Sequence, residues 1–188
     1  AGTDNAEWKF FVQHAGTGEL KMPMGTVGHR WQEKKGQWNL KLEDAMTGEP
    51  IDPTLRLGST AEGEALIEVP DFSVGTEGKV SVRGVPCRKV ATVGGQTLVT
   101  TVFELLLAQY GVLHGKSAEW PKSYEDESGV YTPAWQEKFT GVRAANVVQF
   151  ARQWAETAER SEGRCSVIIG AGVNHWYHNN LIYRAVIM

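Results

Sequence analysis

The sequence lacks the long apolar run, the excess of one charge and the clustered cysteines that mark several large classes of protein. Because no apolar stretch approaches the roughly 18 residues of a membrane span, no transmembrane helix is predicted. The 19 basic and 22 acidic residues nearly balance, which argues against nucleic acid or an anionic membrane as a partner. The first residues are polar and charged, so no signal peptide is predicted.

The two cysteines, Cys87 and Cys165, lie 78 residues apart, and neither belongs to a Cys-x-x-Cys pair. A zinc or iron–sulfur site built by this chain alone is therefore not expected. A disulfide is one alternative, but two buried thiols are the preferred interpretation.

Apolar residues make up 41% of the sequence, which is enough for a folded core. The patterns of apolar and polar residues predict a mixed α/β fold in two parts. Residues from 1 to about 100 form the β-rich part, because short alternating runs predict strands at 8–12, 38–43, 65–69 and 79–83. Two further runs, 88–93 and 96–101, predict a hairpin that turns at Gly94-Gly95.

Residues 101–188 predict a helix–helix–strand–loop–helix unit. Helical spacing covers 102–110, 133–139 and 143–160, the last with an apolar stripe, and Gly111, Gly141 and Gly163 mark the helix ends. The apolar run 165–169, flanked by helices, predicts a buried parallel strand. A final helical pattern reaches residue 188 without a stop signal, which indicates a domain cut from a longer protein. No internal repeat is visible.

The loop after the predicted strand is the candidate binding site, since open α/β sheets bind ligands at the carboxyl ends of their strands. Glycines admit a phosphate close to the backbone, while imidazole, amide and aromatic groups can donate hydrogen bonds or stack on a planar ring. A tight turn without a ligand is the alternative interpretation. The candidate cofactor-binding residues are Gly170, Gly172, Asn174, His175, Trp176, Tyr177 and His178.

Other kinds of site find less support in the sequence. His175 occupies the third glycine position of the dinucleotide fingerprint GxGxxG, so a nicotinamide cofactor is not predicted. His175 and His178 are three residues apart, but no carboxylate or thiolate nearby completes a metal site. No GxSxG nucleophile motif occurs either, so neither metal ligands nor catalytic residues are predicted.

Several blocks together resemble the alpha subunit of membrane-bound respiratory nitrate reductase, the molybdenum subunit, along essentially the whole chain. The most specific block is CSVIIGAGVNHWYHNNLIYRAVI, and the others, in the order of that family, are EWKFFV, GTVGHRWQEKKGQWNLKLEDAMTGE, LVTTVFELLLAQYGV and YEDESGVYTPAWQEKFTGV. The YTPAWQE block is shared more widely among molybdopterin oxidoreductases. The resemblance therefore implies that residues 101–188 are part of a molybdopterin-cofactor-binding domain, truncated at its C-terminus.

The resemblance also implies an activity for the full subunit. Members of the family reduce nitrate to nitrite at a molybdenum held by two molybdopterin guanine dinucleotides, Mo-bis(molybdopterin guanine dinucleotide). Electrons reach the metal through a 4Fe-4S cluster of the same subunit, which this segment does not ligate, and through an iron–sulfur beta subunit. A quinol-oxidising gamma subunit in the membrane supplies them, which implies membrane association at the cytoplasmic face of the bacterial cell.

By this resemblance, residues 170–178 line part of the cofactor cavity. The family's molybdenum-ligating aspartate and its cluster motif do not occur here, so the segment is expected to be inactive alone. Two alternatives stay open: the matching segment of a related perchlorate or selenate reductase or nitrite oxidoreductase, and a non-catalytic binding or interaction module.

Overall fold

The computed structural model describes residues 11–24, 41–71, 78–112, 121, 123–177 and 179–187. The chain divides into two compact units, Ala1–Thr132 and Pro133–Met188. The first half is rich in strands and helices dominate the second, which confirms the predicted mixed α/β class. The predicted domain boundary near residue 100 stays a prediction.

Five short strands open the first unit: β1 Val12–His14, β2 Leu20–Lys21, β3 Pro23–Met24, β4 Lys41–Asp44 and β5 Pro53–Thr54. They form one sheet of order β2-β1-β5 and a second of order β3-β4, with antiparallel pairing throughout. The predicted strand at 8–12 overlaps β1 at Val12 alone: Phe11 has no regular secondary structure, and 8–10 lie outside the described residues. The predicted strand at 38–43 overlaps β4 at 41–43, and 38–40 lie outside the described residues.

A longer antiparallel sheet follows, made of β6 Gly63–Pro70, β7 Val80–Thr92 and β8 Gly95–Val99. The predicted strands at 65–69 and 79–83 are confirmed within β6 and β7. The hairpin turns at Val93-Gly94, one residue before the predicted Gly94-Gly95. Thr92 pairs with Gly95 and donates to its carbonyl at 2.8 Å, so Gly95 belongs to the strand.

Helix α1, Val102–Gln109, packs against β6 and β7 and closes the core of this unit. Its N-terminus is capped by the Thr101 hydroxyl, which accepts from the backbone N–H of Glu104 at 3.1 Å. Ala108 on α1 and Val85 on β7 are each 1% exposed. Gly111 follows the helix at a φ of 67°, the left-handed conformation predicted for it.

Buried polar side chains hold this core together. The fully buried Glu104 carboxylate accepts from the backbone N–H of Leu57 at 3.3 Å and pairs with Arg56 at 3.6 Å. Gln13 donates from Nε2 to the carbonyl of Leu57 at 3.3 Å, and Arg88 donates to the amide oxygen of Gln13 at 3.1 Å. These bonds join β1, β7, α1 and the 54–60 loop, which no local pattern predicts.

The second unit contains α2 Pro133–Thr140, α3 Ala144–Arg160, a short 3-10 helix Ala171–His175 and α4 Asn180–Ile187. The predicted helices at 133–139 and 143–160 are confirmed, and α2 packs against α3. Gly141 and Gly163 adopt φ of 73° and 82° at the ends of α2 and α3. Among the described residues, no helix has the length and hydrophobicity of a membrane span.

The predicted buried strand at 165–169 does not form. Residues 164–170 have no regular secondary structure, and Val167 and Ile168 are 54% and 94% exposed. A strand requires a hydrogen-bonded neighbour, and no other described segment pairs with this one. Cys87 and Cys165 are both free thiols, as the sequence favoured, although only Cys87 is fully buried.

Candidate functional site

The candidate binding loop lies between α3 and α4. An extended segment reaches Gly170, whose φ and ψ are −87° and 167°, and the 3-10 helix Ala171–His175 begins directly after it. The backbone N–H of Val173 donates to the carbonyl of Gly170 at 3.3 Å and closes the first turn. The loop therefore connects the end of α3 to the start of α4 along the chain.

The two glycines of the loop are not required by the fold of the described chain. Neither Gly170 nor Gly172 has a positive φ, and a Cβ built on either meets no atom within 4 Å. A tight turn would instead need left-handed backbone or close neighbours. The glycines thus leave open backbone that a ligand can approach.

The aromatic and imidazole side chains of the loop face solvent. His175 is exposed, and Trp176 and Tyr177 are 76% and 89% exposed. Asn174 is placed by its backbone within the 3-10 helix, and His178 lies outside the described residues. Three consecutive residues therefore present an accessible imidazole, indole and phenol, which can donate hydrogen bonds or stack on a planar ring.

Asn179 adds a polar group that sequence reasoning missed. It lies directly before α4, is 6% exposed, and donates its backbone N–H to the carbonyl of Trp176 at 3.3 Å. Its side-chain Nδ2 is buried, with no hydrogen-bond partner in the part of the chain that the structure describes. A buried amide donor without a hydrogen bond destabilises the fold, so the Nδ2 group of Asn179 can donate to a ligand or a water beside the loop. Asparagine ahead of an apolar helical run was the signal that could have found it.

No cluster of three or more His, Cys, Asp or Glu side chains able to hold a metal occurs among residues 11–24, 41–71, 78–112, 121, 123–177 and 179–187. A cleft of about 360 Å³ does occur in the first unit. Arg83, Asp71 and Asp126 line it together, and Gln109 beside them donates to the carbonyl of Pro70 at 2.8 Å. Both signs of charge line this cleft, so its composition selects no class of ligand.

These features define a mixed α/β protein with an accessible loop ahead of a helix, in which the backbone at Gly170 and Gly172 is unobstructed. Comparison with known proteins is more specific. The chain is 40% identical over 185 residues to the nitrate reductase alpha chain of Bacillus subtilis (strain 168). It is 40% identical over 194 residues to the respiratory nitrate reductase 1 alpha chain of Escherichia coli (strain K12), and 37% identical over 188 residues to the nitrate reductase alpha subunit of Mycobacterium tuberculosis (strain ATCC 25618 / H37Rv). No protein-family model matches the chain.

Each of these matches covers 98% of the chain and 15% of the relative. The chain is therefore similar, along nearly its whole length, to a segment of nitrate reductase alpha chains, which confirms the resemblance seen in the sequence. It spans about 15% of the length of these curated relatives.

Proposed function

We propose that the chain is a segment of the catalytic alpha subunit of a nitrate reductase, an oxidoreductase that reduces nitrate to nitrite. The observation that carries this proposal is the end-to-end similarity to nitrate reductase alpha chains from three organisms. In the full subunit, the reaction takes place at Mo-bis(molybdopterin guanine dinucleotide), and residues 170–178 line part of the cavity of that cofactor.

The loop residues fit a pterin dinucleotide chemically. Open backbone at Gly170 and Gly172 admits a pyrophosphate group, and the exposed His175 and Trp176 offer N–H donors. The ring of Tyr177 can stack on a planar heterocycle. Asn179 has a buried Nδ2 that lacks a partner among the described residues, and a bound ligand would satisfy it directly or through a water.

The cofactor supplies the redox chemistry when bound, whereas this segment holds and orients part of it. By the resemblance, the molybdenum-ligating aspartate and the 4Fe-4S cluster belong to other parts of the alpha subunit, because neither motif occurs in this sequence. The isolated segment is therefore inactive in nitrate reduction.

The uncovered apolar surface of the second unit supports a place within a larger domain. Neither α2 nor α3 contains a buried residue, and Phe150 of α3 is 65% exposed. The remainder of the alpha subunit covers this surface and supplies the neighbouring strand that 165–169 lacks. An iron–sulfur beta subunit and a quinol-oxidising gamma subunit complete the enzyme and attach it to the cytoplasmic face of the membrane.

A titration of the 188-residue chain with the extracted pterin dinucleotide tests the role of the loop. Replacement of Tyr177 by Ala is expected to weaken binding about tenfold, the equivalent of about 1.4 kcal/mol. Tyr124→Ala is the matched control, because Tyr124 is an exposed tyrosine of the first unit, outside the loop. If the two variants bind the pterin dinucleotide with equal affinity, the loop is not part of the cofactor cavity.

Activity in the full alpha subunit tests the wider proposal. A His175→Ala subunit assayed with an artificial electron donor is expected to lose nitrate reduction together with bound pterin. The same assay of the unmodified subunit, with perchlorate or selenate in place of nitrate, distinguishes a nitrate reductase from the related reductases. The similar proteins are named as nitrate reductases, which favours nitrate as the substrate.

A further inference from the structure

Two hairpins of the first unit contain the same turn: β1 with β2, and β4 with the segment that bridges Glu43 to Pro50. Residues 15–19 read Ala-Gly-Thr-Gly-Glu and residues 45–49, which lie 30 positions later, read Ala-Met-Thr-Gly-Glu. The fourth residue of each turn is a glycine in the left-handed conformation, with φ of 72° at Gly18 and 75° at Gly48. A proline follows four residues after each glutamate, at Pro23 and Pro53.

The hydrogen bonds inside the two turns also correspond. The backbone N–H of Gly18 donates to the carbonyl of His14 at 2.8 Å, and that of Gly48 donates to Asp44 at 2.7 Å. In each turn the threonine hydroxyl accepts from the N–H of the following glutamate, at 3.2 Å for Thr17 and 3.3 Å for Thr47.

His14 and Asp44 fill the same role with different side chains. The Nδ1 atom of His14 accepts from the N–H of Gly16 at 3.1 Å, and Oδ1 of Asp44 accepts from the N–H of Met46 at 3.0 Å. Their backbone N–H groups donate to the glutamate that ends each turn, at 2.9 Å and 2.8 Å. Corresponding positions therefore keep corresponding bonds even where the residue has changed.

The bonds between the hairpins are reciprocal. Ala15 donates its N–H to the carbonyl of Asp52 at 2.8 Å, and Ala45 donates to the carbonyl of Met22 at 2.7 Å. Residues 45 and 52 lie 30 positions after residues 15 and 22. Each hairpin therefore donates to the other the same hydrogen bond that it accepts. The strand pairs His14 with Pro53 and Pro23 with Asp44 follow the same rule.

Reciprocity of this kind is the mark of a two-fold axis, in which residue i contacts j and the copy of i contacts the copy of j. A turn that recurred by chance would repeat its internal bonds, but it would not create matched bonds between the two hairpins, such as those of Ala15 with Asp52 and of Ala45 with Met22. We propose that residues 12–24 and 42–54 are two copies of one hairpin unit, joined in one chain and related by a pseudo-two-fold axis. Each copy adds its tail strand to the first strand of the other.

The copies diverge where each meets the rest of the protein. Gln13 is buried against Arg88, whereas its counterpart Glu43 is exposed. The register between β3 and β4 shifts at Met24, which pairs with Lys41. The equivalent pairing between β1 and β5 is regular. The shared residues are confined to one short turn and one proline, which is why the repeat is not evident from the sequence alone.

Matched threonine substitutions test the duplication in the 188-residue chain. Thr17→Val and Thr47→Val each remove one hydroxyl from equivalent positions, so their losses in Tm are expected to agree within a factor of about two. Thr157→Val, an exposed position of α3 outside both copies, is the control. A loss confined to one of the two turns would overturn the proposal.

A second measurement does not depend on substitutions. Amide hydrogen exchange followed by NMR is expected to protect Ala15 and Ala45 to within about tenfold of each other, because each amide makes the same inter-hairpin bond. Protection of only one of them would show that the exchange of strands is not reciprocal. The double variant Gly16→Met/Met46→Gly, which interchanges the two turn sequences, is expected to keep both protections, and loss of either would count against equivalence.

Discussion

The two units of the chain differ in what covers their apolar side chains. In the first, α1 lies on β6 and β7, and both Val85 and Ala108 are 1% exposed. In the second, neither α2 nor α3 has a buried residue, although α3 has a well-formed apolar stripe. Apolar side chains thus lie in a core in one unit and on an uncovered helix face in the other.

Periodicity predicts which face of an element is apolar, but not which other element covers that face. Burial of apolar area drives folding, and the buried apolar side chains of the described residues, Val85 and Ala108 among them, lie in the first unit. The second has an apolar face that the described residues of its own unit leave open. Substitutions at buried positions of the first unit should therefore cost more than substitutions on the open face of α3.

The largest effect is expected at Glu104. Glu104→Ala leaves the buried N–H of Leu57 without its acceptor and opens a cavity, so the free energy of unfolding is expected to fall by about 3 kcal/mol. Glu159→Ala, an exposed glutamate on α3, is the control and should change stability by less than about 0.5 kcal/mol. Urea denaturation of the two variants measures both values, and a small loss at Glu104 would contradict the role of the buried network.

Much of the local structure could be predicted from sequence because its causes are local. Pro133 begins α2, Gly163 follows α3, and alternation marked β6. The buried network around Glu104 could not be predicted, since Leu57 and Glu104 are 47 positions apart. The predicted strand at 165–169 failed for the complementary reason: its apolar run was visible, but its pairing depends on a neighbour that the described chain does not contain.

The candidate site was predictable in part. The composition of residues 170–178 marked it, and the resemblance to a nitrate reductase subunit gave it a ligand. Asn179 was missed because it follows the aromatic block, and its importance depends on burial, which the sequence does not reveal. The assignment of the loop to the cofactor cavity stays a prediction.

The next largest contrast is between two apolar side chains. Val85→Ala removes methyl groups from a side chain that is 1% exposed and is expected to cost about 2 kcal/mol. Phe150→Ala removes a larger side chain that is 65% exposed, and should cost less than about 1 kcal/mol in the 188-residue chain. Thermal denaturation checks both, and a greater loss for Phe150 would mean that the α3 face is already covered.

Glycine substitutions give a smaller contrast. Gly48 has a φ of 75°, so Gly48→Ala forces an L-residue into the left-handed region and is expected to cost about 1 kcal/mol. Gly172→Ala meets neither a positive φ nor a neighbour within 4 Å, and should leave stability within about 0.5 kcal/mol. If Gly172→Ala also leaves pterin binding unchanged, the open backbone of the loop has no part in the cofactor cavity.

The smallest expected effect is electrostatic and belongs to the link between the hairpins. The backbone N–H of Met46 and the ammonium group of Lys21 hold the pKa of Asp44 below its ordinary value of 3.8, against the opposing effect of burial. The carboxylates of Asp44 and Glu19 raise the pKa of Lys21 above 10.5. Asp44 therefore stabilises the fold above pH 3.8, and this contribution disappears as the pH falls through its lowered pKa.

Asp44→Asn tests this pH dependence because the amide oxygen can still accept from Met46 while the charge facing Lys21 is removed. The variant is expected to melt below the wild type between about pH 5 and pH 9, and the difference should vanish as the pH falls below 3.8. Asp52→Asn, at an exposed position in the same region, is the control. A difference that persisted in acid would show that Asp44 acts through shape and hydrogen bonding. In the other hairpin, His14 and Ile51 stand where Asp44 and Lys21 stand here, and they form no charge pair. Asp44 would then stabilise its turn only through the kind of hydrogen bond that His14 also makes.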